Sequence, residues 1–349
     1  MKKQKFTYLI TLAIILMAAF TSCRTEGNTP EDTPLNPADS FEKKHDTALL
    51  LVTFGSTYDL PKATYEKQRE FFRKKYPNTD LYYSYTSRTI INRLEAQGET
   101  FIQPPLWFQS FLKKKYKNVY VQSLHVIPGE EYTLLRDAYV KKEYNKQLFD
   151  LKEDKQMKEY ANCEYAVLGD PLLSDNESIE KAAKLLVDIH AEQLKAGEVV
   201  ALMGHGNPED NYQYANDKYD IIEKMMQEYA KEKYGNGMVY VGTVDYPGKL
   251  FDDYLLEAVE NSGAKKKIIN LHPLMTIAGD HASNDMSGDD TMEDGKPIPL
   301  EEQSWKLQLQ AHGWTVKSIM KGLGDYDEIN QIFLDHLQEA IEEAKNSEE

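Results

Sequence analysis

The sequence predicts an α/β fold of two duplicated Rossmann-like halves, each a four-stranded parallel sheet flanked by helices, with a cleft between them. Three observations carry this. Short, continuous apolar runs alternate with amphipathic segments of helix length, the signature of parallel strands covered on both faces. The runs divide four and four along the chain. The two sets also match in order, so the chain says the same thing twice.

The first set is 48–54, 81–85, 119–125 and 164–168; the second is 198–203, 238–244, 267–274 and 315–319. Helix-length segments at 61–76, 105–116, 178–194 and 219–234 separate them, and 329–345 closes the chain as an amphipathic helix. Leu51-Val52-Thr53-Phe54-Gly55-Ser56 answers Ala201-Leu202-Met203-Gly204-His205-Gly206, and the segment ending at His125 answers the one ending at His272 and Pro273. Residues 208–220 and 287–299 read as irregular loops, the second lying over the cleft mouth.

The ends set the address. Lys2, Lys3 and Lys5 precede an apolar run over 8–20 and then Thr21-Ser22-Cys23, the organisation of a secretory signal. Residues 1–22 read as a lipoprotein signal peptide and Cys23 as its lipid-accepting residue. Residues 23–46, with Pro30, Pro34 and Pro37 and few apolar side chains, read as a flexible tether. The halves then occupy 47–196 and 197–349. The expected product is an exported, membrane-anchored lipoprotein, in the periplasm or at the cell surface. Losing three lysines with the signal takes the formal charge from -16 to -19, which argues against nucleic acid. Cys163 is the other cysteine and reads as a core residue, so redox chemistry is set aside.

Ligands of open α/β sheets bind at the carboxyl ends of the strands. His205 and His281 both stand just past such ends, as metal ligands or as acid/base groups. Imidazole suits divalent Co, Fe, Ni and Zn, and accepts protons near neutral pH. Asp245 ends the next strand, either as third ligand or as a helix cap. Asp280 and Asp285 flank His281, to orient it or to guide cations, on a polar segment over 279–286 that reads as a loop without helix or strand pattern. His125 and Glu131, on a turn after the third strand, read as cleft residues. The Gly55-Ser56 turn is small and polar. His272 reads as a hydrogen-bonded core residue. No phosphate-binding glycine loop, nucleophile elbow or cysteine-rich zinc site is present.

Several segments together make the chain resemble the anaerobic-type sirohydrochlorin cobaltochelatases, class II tetrapyrrole chelatases that insert Co²⁺. These are residues 51–56, 122–132, 203–206 and 273–286, with Ser304-Trp305-Lys306 and Gly322-Leu323-Gly324. The resemblance runs from about residue 48 to 344. It implies two α/β halves around a tetrapyrrole cleft, with His205 and His281 holding the metal and accepting pyrrole protons. It implies a glutamate as third ligand, where this chain has Val244-Asp245-Tyr246-Pro247, one methylene shorter. In that reading His125, Glu131, Gly55, Ser56, Asp280 and Asp285 are the candidate contacts to the tetrapyrrole, with Arg88 and Arg93 as candidates for its carboxylates. Co²⁺ is the expected metal, with Fe²⁺ and Ni²⁺ as alternatives. The exported address keeps a second reading open, a lipoprotein that binds haem or another metallotetrapyrrole for haem or iron acquisition, with removal of metal from the macrocycle as its variant. A homo-oligomer and an outer-membrane transport partner are open companions of these readings.

Overall fold

The computed structural model describes residues 36–141, 165–208 and 210–346. The first sheet holds β1 (Thr47–Thr53), β2 (Asp80–Tyr85), β3 (Asn118–Ser123) and β4 (Tyr165–Gly169), all parallel, in the order β2-β1-β3-β4. The second holds β5 (Val199–Gly204), β6 (Val239–Thr243), β7 (Ile268–Pro273) and a last strand, Thr315–Ser318. Read from β6, its order is β6, β5, β7, last strand, so each sheet places its own second strand first, then its first, third and fourth. The duplication is therefore topological as well as sequential. Between Met292–Glu293 (β8) and Lys296–Pro297 (β9) runs a two-stranded antiparallel hairpin, which makes the last parallel strand β10.

The major helices are α1 (Asp59–Lys75), α2 (Arg88–Ala96), α3 (Pro104–Lys113), α4 (Asn176–Ile189), α5 (Gln213–Tyr234), α6 (Trp305–Ala311) and α7 (Asp327–Asn346). Period-two alternation sends β1 side chains to two cores. Ala48, Leu50 and Val52 pack with Trp107, Phe108 and Phe111 of α3, whereas Leu49 and Leu51 face inward. β5 does the same: Val199, Ala201 and Met203 pack with Trp305 and Leu309, and Val200 and Leu202 face inward. The two inward faces share one core with α4, α5 and α7.

α7 follows the second half in sequence but packs on β3 and β4 of the first. Phe333 and Leu337 enter the shared core, and a side chain on Gly169 would come 3.0 Å from the Leu337 backbone. Gln68 of α1 donates to Asn330 of α7 across the same seam, at 3.0 Å. Among the described residues no helix is long and apolar enough to cross a membrane.

Four expectations need correction. The tether is shorter than 23–46: Ala38 is fully buried, Phe41 packs on Trp107 at 5.0 Å, and Lys113 pairs with Asp39 at 2.6 Å. One aromatic ring and a few charges secure that segment despite its polar composition. α5 begins at Gln213, inside the loop expected over 208–220, because a turn at Asp210–Tyr212 starts the helix early. The 287–299 loop contains the β8–β9 hairpin, turned by Asp294 and Gly295 with φ of 49° and 76°. Asp-Gly is the dipeptide that a two-residue hairpin turn favours. Finally, the segment after Gly279 is helical through Met286, ending in π-helical geometry over Ala282–Met286. The signal peptide, Cys23 and Cys163 lie outside the described residues.

Candidate metal centre in the interlobe cleft

Strand order reverses between β1 and β3 in one lobe and between β5 and β7 in the other. Such switch points leave a crevice at the carboxyl ends of the strands. The segments leaving all four strands meet there. Phe54, just after β1, has its ring 6.4 Å from that of His205, just after β5. The N–H of Glu130, after β3, donates to Asn207 at 3.2 Å, and the Tyr214 hydroxyl donates to the Pro128 carbonyl at 2.7 Å. Thr276, after β7, donates its hydroxyl to the Leu124 carbonyl.

His205 and His281 are brought together, with ring centroids 4.8 Å apart and planes at 79°. His205 Nδ1 lies 2.9 Å from the Gly206 carbonyl, which can only accept, so Nδ1 carries a proton and, in the neutral ring, Nε2 is the nitrogen with the lone pair. The glycine is required: Gly206 has φ of 82°, and a Cβ there would lie 2.6 Å from the Tyr246 nitrogen. Asp245 Oδ2 stands 3.6 Å from the same Nδ1, and the Asp245 N–H donates to the His205 carbonyl at 2.8 Å. The β6 turn is thus stitched to the His205 turn.

His281 starts the helical turn after Gly279, and helical spacing sets Asp285 beneath it, Oδ2 to Nδ1 at 2.5 Å. The Asp285 carboxylate, aided by Asp245 and Asp280, holds the His281 imidazole above its ordinary pKa against the opposing effect of burial. Carboxylates on Nδ1 fix ring orientation and raise the basicity of Nε2 toward a metal. Both imidazoles therefore present the same nitrogen for use. Asp280 lies 3.8 Å from Arg93, and its Oδ1 is buried without a hydrogen-bond partner.

The expected set of His205, Asp245 and His281 is adjacent, but it does not converge. Among the described residues no group of three His, Cys, Asp or Glu is closed enough to hold a metal ion. Each Nδ1 keeps its own partner, and Asp245 lies on the Nδ1 side of His205, so the arrangement is an open pair of imidazoles. An open site suits a metal that must be handed on.

The first lobe contributes a drier set. His125 Nδ1 bonds to Ser123 at 2.8 Å, Nε2 is buried without a partner, and burial pushes the imidazole down to about 4. Burial also pushes the Glu131 carboxyl up, helped by Glu130 and opposed by the Thr86 hydroxyl. Gly55 has φ of 108°, and a side chain there would strike the Tyr85 ring at 2.8 Å. Ser56 is 1% exposed and its hydroxyl accepts from the Tyr58 N–H, so it shapes the turn. His272 is buried against His190, Nδ1 to Nε2 at 3.0 Å, as read from its apolar run. Tyr82 and Tyr85 are buried packing residues.

Sequence reasoning missed Phe54, which is 41% exposed beside His205, and Asn207, buried between the lobes. Phe54 ends an apolar run and looked like core. Asn207 follows His205-Gly206, and its place beside a candidate histidine was the one available signal.

Fold and site together define a duplicated, two-lobed α/β protein whose interlobe cleft pairs imidazoles with carboxylates. Residues 47–342 match the family described as cobalt chelatase (CbiK). The chain is 28% identical over 294 residues to sirohydrochlorin cobaltochelatase CbiKC of Nitratidesulfovibrio vulgaris, covering 84% of this chain and 90% of that one. It is 29% identical over 300 residues to sirohydrochlorin cobaltochelatase of Salmonella typhimurium, covering 84% and 96%. Among solved structures, SirB from Bacillus subtilis with Fe³⁺ is similar at a TM-score of 0.49 and 16% identity, covering 86% of this chain and 97% of that one. The chain belongs to the cobalt chelatase family.

Proposed function

We propose that this protein is a tetrapyrrole chelatase that inserts Co²⁺ into sirohydrochlorin, with Fe²⁺ as the alternative metal. The observation that carries this is the pair of imidazoles 4.8 Å apart, each with Nδ1 engaged and Nε2 available. Insertion exchanges one divalent cation for two pyrrole protons. Neutral Nε2 atoms can hold the incoming cation and then take protons as it leaves. Glu131, whose carboxyl burial has pushed up, supplies a further acceptor from the opposite lobe. Asp280 and Asp285 keep the approach negative, which raises the local cation concentration.

The address is part of the proposal. The basic start, apolar run and Cys23 support export and lipid anchoring, so the reaction would run outside the cytoplasm. Anaerobic Co²⁺ insertion into sirohydrochlorin, followed by absorbance, tests the activity. Turnover by the parent that is lost with His205→Ala and with His281→Ala is the expected result. A folded parent without turnover would sink the reading.

A further inference from the structure

Asp245 lies on a turn whose far end is buried. β6 is an edge strand, and past its end the chain passes through Asp245 and Tyr246 into a 3₁₀ turn at Pro247–Lys249. The Lys249 side chain is 3% exposed. Its Nζ is 3.0 Å from Glu223 Oε2, 3.2 Å from Asp220 Oδ1, and 4.0 Å above the Tyr254 ring. Glu223 is itself buried on α5, where it accepts the Val241 N–H at 2.6 Å and the Tyr254 hydroxyl. One carboxylate thus satisfies the open edge of β6 and clamps the lysine that ends the turn.

The rest of the turn is fixed at both sides. The Lys249 N–H donates to the Tyr246 carbonyl at 2.9 Å, and the Thr243 hydroxyl donates to that same carbonyl at 3.1 Å. A buried ion pair is weak evidence for stability, because desolvation offsets its attraction, but it can specify one geometry. Geometry is what Asp245 needs. Its carboxylate is short, so its reach toward His205 and His281 is set by the backbone more than by rotamers.

We propose that Lys249 and Glu223 are positioning residues for Asp245, a buried ion pair that sets the turn so that this carboxylate stays beside the two imidazoles. The proposal rests on reading the cleft as a metal site. Its test is a double-mutant cycle on Co²⁺ affinity without tetrapyrrole, measured by competition with a metallochromic chelator. The Lys249→Met/Glu223→Gln pair leaves no lone buried charge, and Glu223→Gln alone keeps an acceptor for Val241 should the pair fail to fold.

The pair is expected to weaken Co²⁺ binding by roughly 10–100-fold, the range for groups that orient metal ligands. Asp245→Ala should weaken it similarly, and adding the pair to Asp245→Ala should weaken it no further. The Co²⁺ ligand-field spectrum of the pair should move to that of Asp245→Ala. Equal losses from the pair with and without Asp245→Ala, or no loss, would overturn the proposal and leave the metal site standing. Parent protein that binds no Co²⁺ through His205 and His281 would overturn the metal site and this proposal together.

Discussion

The two lobes share one strand order but differ in what stands at the strand ends. In the second lobe His205 and Asp245 are more than one-third exposed at the side chain, and His281 lies at the edge of the same cleft. In the first lobe, Gly55 and Ser56 pack a turn, and His125 is half-buried, with Nδ1 bonded to Ser123 and its imidazole pushed down by burial. Duplication supplied two equivalent sets of strand ends, and the candidate imidazole pair stands at those of the second lobe. His125 lies two residues past the end of β3, whereas His272 lies within β7 opposite Leu202, so the repeat suggested by the sequence does not place them in register, although burial pushes both imidazoles down. What sets the second lobe apart is His281 after Gly279, which stands beside His205 at the strand ends.

The contrast is sharpest in turnover. His205→Ala or His281→Ala should lower Co²⁺ insertion by ~10²–10⁴-fold, the usual range for a lost proton-transfer group. His125→Ala should lower it by less than about tenfold, since its free nitrogen is buried and hard to protonate. Equal losses in anaerobic insertion assays would erase the distinction between the lobes.

Acid stability tests the buried histidines of both lobes. Burial pushes His125 and His190 down to about 4 and His272 down to about 3. The unfolded chain takes up these protons near pH 6.5, so between pH 6.5 and about 4 it binds more than the folded chain. Stability is then complete above pH 6.5 and falls as pH drops through that window, by up to ~1.4 kcal/mol per pH unit for each such histidine. Urea midpoints measured from pH 7.5 to 4 should show this slope, and His125→Asn should reduce it by about one proton. An unchanged slope would mean that His125 is not buried.

A smaller effect concerns His281 alone. Its pKa is raised, so the imidazole is cationic below that value and metal binding is lost as pH falls through it, a limb above pH 6.5. Asp285→Asn removes the largest cause and should move the limb of Co²⁺ affinity to lower pH. A fixed limb would assign it to another group. Smallest is Phe54→Ala, which removes an exposed ring facing His205 from the first lobe. Aromatic packing of ~0.5–1.5 kcal/mol corresponds to a roughly 2–10-fold rise in KM for tetrapyrrole, with kcat little changed. A fall in kcat instead would place Phe54 in the chemistry.

Much was legible in the chain because the signals are local. Continuous apolar runs reported all eight parallel strands, and the matched order of the halves reported their common topology. The two histidines were legible because strand ends are legible, and strand ends are where such sheets bind ligands. The helical turn at His281 was hidden by its polar composition, and only that turn brings Asp285 under the ring. The Asp294-Gly295 hairpin was readable and was passed over.

The chain by itself determined two repeated parallel sheets, an acidic surface and a pair of histidines at strand ends, since each follows from residue type and period. Tertiary structure alone decided that α7 returns to cover the first sheet, and that residues from Pro37 onward dock on α3. It alone decided that Lys249 and Glu223 meet in a buried ion pair. These depend on contacts between segments far apart in sequence. Such contacts depend on which apolar and charged surfaces remain to be satisfied once the sheets have formed, a quantity that no local pattern records.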